Sequence, residues 1–179
     1  MKNVVCICIM VLLAMNTRSQ ENRVMISGGY ASANIEDSGT KGTGYRINGL
    51  YEFNPMGSKF AHGVSFGFIN VNSTVGAATY KVNSFPLYYA PKVMFGSEKA
   101  KFFLKGALGV QFAGLKREGT SVAINDNDFG FYGGGGTGLM VFMKENIFLN
   151  AEYEIAWASN SWYRDGWIST ISGGIGYKF

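Results

Sequence analysis

The chain has 179 residues, with 14 Phe, 10 Tyr, 3 Trp and 25 Gly against 3 Pro, 2 Cys and a single His. That is one domain's worth of chain rather than a multidomain enzyme's, and the composition is poor in helix formers and rich in residues that favour strands and turns. Its 16 basic and 12 acidic residues give a formal charge of +4, without the clustered basic patch that nucleic-acid binding would require.

In chain order the first element is Lys2 followed by an apolar run over residues 4–14 and then polar Asn16, Thr17, Arg18, Ser19 and Gln20. This is the pattern of a secretory signal peptide. A run of that length spans about 16 Å as a helix, half the hydrocarbon thickness, so it is too short for an anchor. Residues 1–20 are therefore expected to be cleaved, between Ala14 and Glu21, leaving residues 21–179 as a single mature domain. Loss of Lys2 and Arg18 leaves 14 basic against 12 acidic residues, a net +2. Cys6 and Cys8 both fall inside the leader, so disulfides, thiolate catalysis and Cys-based metal sites are not expected in the mature protein. Neither Cys stands where a lipoprotein would be cleaved.

Beyond Glu21 no window shows an apolar period of 3.6, whereas stretches of period 2 recur along the whole length, which predicts an all-β chain. Eight strands are expected at 24–35, 42–53, 60–71, 81–95, 102–115, 128–143, 147–158 and 167–179. They are longer than the five or six residues usual in soluble sheets and suit tilted strands that cross a bilayer. The links alternate: 54–58, 96–100 and 144–146 are short, whereas 72–80, 116–127 and 159–166 are longer and polar, with 36–41 the shortest of that second set. Short turns at one rim and longer loops at the other are expected of a barrel whose tight turns face the periplasm, with both chain ends on that side.

Aromatic residues gather beside the turns. Phe53 and Phe60, Phe95 and Phe102, and Phe142 and Phe148 flank the three short links, and Phe179 falls at the same level. At the other rim the pattern places Tyr45, Tyr80, Phe129, Trp157, Trp162, Tyr163 and Trp167. Two aromatic belts around an apolar band fit the two interfaces of a bilayer.

Alternation assigns the faces. In 147–158, Leu149, Ala151, Tyr153, Ile155 and Trp157 oppose Asn150, Glu152 and Glu154; in 42–53, Tyr45, Ile47, Tyr51 and Phe53 oppose Arg46, Asn48 and Glu52, with Leu50 an exception. In 102–115, Leu104, Leu108, Val110 and Phe112 oppose Lys105 and Gln111. A membrane barrel turns its apolar set outward, so Arg46, Asn48, Glu52, Lys105, Gln111, Asn150, Glu152 and Glu154 are expected to form a polar network filling a narrow lumen. The strand at 128–143, with four consecutive glycines at 133–136, gives no face by pattern. Unpaired amides cost several kcal/mol each in hydrocarbon, so the sheet must close, as an eight-stranded antiparallel up-and-down transmembrane β-barrel.

These residues resemble the small bacterial outer-membrane β-barrel family that contains OmpA- and OmpX-type domains. The most specific part of the likeness is the ending, where Ile171, Ile175, Tyr177 and Phe179 alternate with Ser172, Gly174, Gly176 and Lys178. The resemblance implies that this ending is read by the barrel-assembly machinery, that outer-membrane lipid surrounds the domain, and that the host is Gram-negative. The glycine run before Leu139 also looks like a hairpin of that family.

Little in the chain suggests chemistry. His62 is expected on the apolar face near the short-turn rim, as an interfacial side chain, and Ser65 would face the other way. Glu152 and Glu154 share a face, but a hydrogen-bonded filling is the stronger reading than acid–base work. The segment 125–128 lacks the spacing of a Ca²⁺ loop, and no helix follows the glycine runs to make a phosphate site. No metal, cofactor or catalytic residue is expected, and the domain is expected to be a monomer. The leading expectation is a non-catalytic outer-membrane protein with a structural, adhesion or recognition role. The alternatives are a narrow channel for small solutes, then a soluble lipocalin-like barrel or a lipid-modifying enzyme.

Overall fold

The computed structural model describes residues 20–36, 38–55, 58–119, 124–160 and 162–179; the signal-peptide reading of residues 1–20 falls, apart from Gln20, outside them. Nine antiparallel strands run in chain order: β1 Gln20–Ile35, β2 Thr40–Pro55, β3 Phe60–Val75, β4 Ala78–Tyr89, β5 Lys92–Gly96, β6 Ala100–Glu118, β7 Ile124–Phe142, β8 Ile147–Ala158 and β9 Tyr163–Lys178. Each pairs with its sequence neighbours except β4 and β5, which do not pair with each other, and β9 pairs back onto β1, with Tyr30 opposite Ile171 and Val24 opposite Tyr177. The sheet therefore closes on itself.

β4 and β5 pair with the same two neighbours, β3 and β6, and so form one stave of an eight-stave barrel. The continuous strand expected over 81–95 is broken at Ala90 and Pro91. Pro91 has no amide hydrogen to give to a ladder, yet its carbonyl accepts from Gly106 N at 2.8 Å and Ala90 N donates to Gly63 O at 2.8 Å, so the interruption leaves those groups paired.

The outer surface is apolar over a defined band. Val24, Ile26, Ile47, Val64, Phe66, Leu87, Leu104, Leu108, Leu149, Ile155 and Ile171 all lie exposed on it. One edge carries Phe60, Phe95, Phe102 and Tyr177. The other carries a nearly continuous girdle in which Tyr45 meets Phe68, Phe68 meets Phe85 and Phe112 meets Phe129, with ring centroids at 5.8, 5.0 and 4.8 Å; Trp157 and Trp167 continue it. From Phe102 to Phe112 is ten residues of one strand, which at about 3.3 Å per residue and a tilt near 40° spans roughly 25 Å, the height of a lipid-facing band.

Beyond the girdle the alternation reverses. Outward positions become polar (Asn34, Lys41, Asn70, Asn72, Lys81, Asn83, Lys116), and inward positions become apolar: Ala33, Ile35, Ile69, Val71, Val82, Leu115 and Ile168 are all buried. The cause is the solvent on the outside. Where the wall faces lipid, apolar groups gain nothing by turning inward; where it rises into water, each buried Ile, Leu or Val side chain is worth about 1.5–3 kcal/mol.

This reversal corrects several expectations. The polar segment 72–80 is not a loop but the paired ends of β3 and β4, joined through Gly76 and Ala77, with Gly76 at φ 60° where a left-handed turn residue is needed. β6 and β7 likewise extend to Glu118 and Ile124. Tyr80 and Tyr163, assigned to the outer belt, lie buried in the interior. At the short-turn end Phe148, also assigned to the belt, is only 1% exposed and points inward, and Phe142 packs partly buried against the interior instead of facing lipid; at the opposite rim Trp162 does the same. Phe148 turns in because Gly176 opposite leaves it a hollow: a Cβ there would come within 2.1 Å of the ring.

Candidate functional site

The interior at the level of the apolar band is where charged chemistry collects. Two ionic clusters occupy it. In the first, Glu154 of β8 receives hydrogen bonds from Arg46 of β2, Lys105 of β6 and, at 2.7 Å, the Tyr132 hydroxyl of β7. Lys105 also reaches Glu152, and Arg46 donates to the Tyr88 hydroxyl at 2.6 Å and to Thr170 at 3.2 Å. In the second, Glu52 of β2 is held between Arg23 of β1, at 2.6 Å, and Lys92 of β5. Arg23 extends to Glu21 at 2.9 Å and to the Met94 sulfur at 3.2 Å.

Each cluster is electrically balanced, which is how buried ions are tolerated away from water. The strands supply them by the period-2 rule: every contributor points inward because its neighbours carry the lipid-facing apolar set. Between the clusters lie Phe103, Met25, Leu50, Met94 and Met140, all buried. Phe103 takes the Lys92 ammonium over its ring at 4.5 Å.

All eight residues expected in the lumen, namely Arg46, Asn48, Glu52, Lys105, Gln111, Asn150, Glu152 and Glu154, are buried there, but they divide. Asn48 accepts from Ser65 at 2.9 Å instead of joining either cluster. Among the described residues Gln111 and Asn150 have no hydrogen-bond partner for either amide atom. Arg23, Lys92, Tyr88, Tyr132 and Thr170 were missed by the sequence reading. Arg23 lies one residue before the expected start of the first strand at Val24, and Lys92 follows the break at Ala90 and Pro91. Tyr132 and the glycine run become legible once β7 is given its phase: Tyr132, Gly134, Gly136, Gly138 and Met140 face inward, as their pairing with Ala158, Ala156, Glu154, Glu152 and Asn150 shows.

Elsewhere the candidates are dispersed. His62 lies on the outer face, stacked between Phe53 and Tyr89 with ring centroids at 5.2 and 6.0 Å, and bonds through Nδ1 to the Tyr89 hydroxyl; Ser65 faces the lumen. Ile171, Ile175, Tyr177 and Phe179 are exposed on the outer wall. Among the described residues there is no group of three or more His, Cys, Asp or Glu placed to hold a metal. In the segment 125–128 the Asn125 side chain lies outside the described residues.

A closed sheet with a lipid-facing outside, an ionic interior and an aqueous wall beyond a girdle defines a transmembrane β-barrel. Residues 4–179 match the family model of the outer membrane protein beta-barrel domain, and the chain belongs to that family. It is a protein of the Gram-negative outer membrane. Among solved structures it is similar to Neisserial surface protein A (15% identity, TM-score 0.69, covering 88% of this chain and 97% of that one). It is similar also to Ail, the attachment invasion locus protein of Yersinia pestis (22% identity, TM-score 0.56, 88% and 99%). The N-terminal β-barrel domain of Pseudomonas aeruginosa OprF is a third (11% identity, TM-score 0.53, 88% and 97%). Comparison with curated proteins finds no sequence match.

Proposed function

We propose that this protein is a non-catalytic, non-conducting barrel that acts at the cell surface through the water-facing wall and hairpins beyond its girdle, with its short turns and both strand termini toward the periplasm. The observation that carries this reading is the reversal of alternation: an apolar core of Ile35, Ile69, Val71, Val82, Leu115 and Ile168 fills the barrel above the ionic clusters. A pore has no use for such a plug, whereas a rigid platform needs it. The outer face of that wall bears Asn34, Asn70, Asn72, Asn83 and Asn127, linked in part as a ladder in which Asn72 donates to Asn70 and Asn70 to Asn83, each at 2.7 Å. Amides beside exposed aromatic rings suit a neutral hydrogen-bonding partner, such as a glycan or a polar protein surface. Ail, a barrel of similar fold, has also been solved in complex with the heparin analogue sucrose octasulfate, which supports a reading in which such a barrel contacts other molecules.

The test has two arms. Purified protein in planar bilayers should give no discrete current steps, and protein in nanodiscs should bind a neutral glycan or protein ligand in a manner abolished by Asn70→Ala with Asn83→Ala. Stepwise conductance, or ligand capture unaffected by those changes, would refute the proposal. The narrow-channel alternative draws its support from Gln111 and Asn150, whose unpartnered buried amides offer sites for lumen water.

A further inference from the structure

The charge of the mature chain is unevenly placed. At the short-turn end stand Arg23, Lys59, Lys99, Lys101, Lys144 and Lys178 against Glu21, Glu98 and Glu145, whereas at the opposite end acids and bases balance among the described residues. Each short turn contributes one lysine: Lys59 between β2 and β3, Lys99 between β5 and β6, Lys144 between β7 and β8.

Two of the cations are set differently from the rest. Lys101 and Lys178 follow the inward parity of β6 and β9, on the same side of their strands as Phe103 and Gly176, while Phe102 and Tyr177 face lipid. Their ammonium groups lie 5.8 and 5.9 Å from the centroid of one ring, that of Phe142, which faces the mouth from β7. The three line a pocket of about 570 Å³ at the mouth of the barrel, whose charged lining is completed by Lys99 and Lys144 and by Glu21, Glu98 and Glu145. Of the acids there, Glu21 is engaged by Arg23 at 2.9 Å and by Lys178 at 4.0 Å, and among the described residues Lys101 forms no ion pair. Beyond the effect of its own partial burial, Arg23 and Lys178 press like charge on it, offset in part by the carboxylates Glu21 and Glu52. Two ammonium groups converging on an apolar ring, one without a counter-ion, are complementary to an oxyanion.

We propose that this mouth is a binding site for a multiply charged oxyanion, a phosphate or paired carboxylates, gripped between Lys101 and Lys178 over the Phe142 ring. The ligand comes from the aqueous space beneath the barrel and not from the bilayer, because the gripping side chains point to the barrel axis. The source, though not the site, rests on the orientation proposed above.

Inorganic pyrophosphate is the probe, titrated calorimetrically into the protein in phosphatidylcholine nanodiscs, with heat-modifiable gel migration confirming that each variant is folded. Saturable binding is expected, reduced about tenfold or more in Lys101→Gln with Lys178→Gln, because charge-assisted hydrogen bonds are being removed. It should be retained in Lys101→Arg with Lys178→Arg. Lys59→Gln removes a charge from the same rim outside the pocket and should change affinity about twofold at most. No saturable binding by the native chain, or a loss in Lys59→Gln as large as that of the Lys101 and Lys178 pair, overturns the site. Displacement of pyrophosphate when phosphatidylglycerol replaces phosphatidylcholine overturns the aqueous source. Labelling of Lys99→Cys from outside intact cells by an impermeant reagent would overturn the orientation while leaving the anion site standing.

Discussion

Phe103 rests its ring over Gly138 of the neighbouring strand, where a Cβ would come within 2.4 Å of the ring. The glycine is a seat for the largest apolar group between the two ionic clusters. Gly138→Leu should destabilise the barrel by about 1–3 kcal/mol through overpacking, and Phe103→Ala in the same chain should recover part of that loss. Urea titration of folding into lipid vesicles measures both; additive losses would mean the two residues are not coupled.

Glu154 is the acceptor on which Arg46, Lys105 and Tyr132 converge. Glu154→Gln leaves two buried cations short of a counter-charge and should cost about 3–5 kcal/mol. Glu118, exposed near the β6 terminus and paired with Lys81 at 2.6 Å, is the control: Glu118→Gln should be close to neutral by the same measurement.

The girdle fixes depth. Leu108 lies midway between Phe102 and Phe112, whereas Val110 is only two residues from the girdle. Leu108→Arg should cost about 2–4 kcal/mol and Val110→Arg distinctly less, as the penalty falls toward the interface. Equal costs would contradict the placement of the band. Ile155 likewise sits two residues from Trp157 and belongs to the shallower level.

Much of this architecture is legible in the residues. Strand number, closure and the inward set of β2 and β8 follow from one rule, that lipid-facing positions are apolar. The rule fails where its premise fails. Residues 72–80 look like a polar loop because Asn72 and Lys81 face outward into water; the apolar partners that mark them as strand, Val71 and Val82, sit on the face the rule reserves for polar groups. Phe148 and Tyr163 were misplaced for a related reason: an aromatic beside a turn can fill a lumen as well as gird a membrane, and only the glycine across the sheet or the phase of the strand distinguishes the two. The clusters were half visible, since charges on one face can be counted, but which carboxylate meets which cation depends on register around a closed ring.

The apolar plug should behave as an ordinary aqueous core. Leu115→Ala or Ile69→Ala should cost about 2–5 kcal/mol in local stability of the wall beyond the girdle. Hydrogen exchange should rise in the outer thirds of β3, β4 and β6 while the lipid-facing amides stay protected. Uniform exchange across the barrel would show that the two levels unfold as one.

Tyr163, above the girdle and bonded to Ser84 at 2.8 Å, has its phenol pushed up to about 12 by burial, opposed by that hydrogen bond. Its folded value exceeds the unfolded one, so its contribution is complete below pH ~10 and is lost as pH rises toward ~12, at up to about 1.4 kcal/mol per unit. Tyr163→Phe should show a shallower alkaline decline in stability than the native chain; parallel curves would place the phenol in contact with water.

The reversal at the girdle also divides the chain into two storeys that answer to different substitution rules. In the lower storey an outward change must satisfy hydrocarbon. In the upper one the same strand positions are free to take any polar residue so long as their inward neighbours keep the plug. Sequence change can therefore redraw the exposed wall, and lengthen or trim its hairpins in pairs of residues, without disturbing the anchor below.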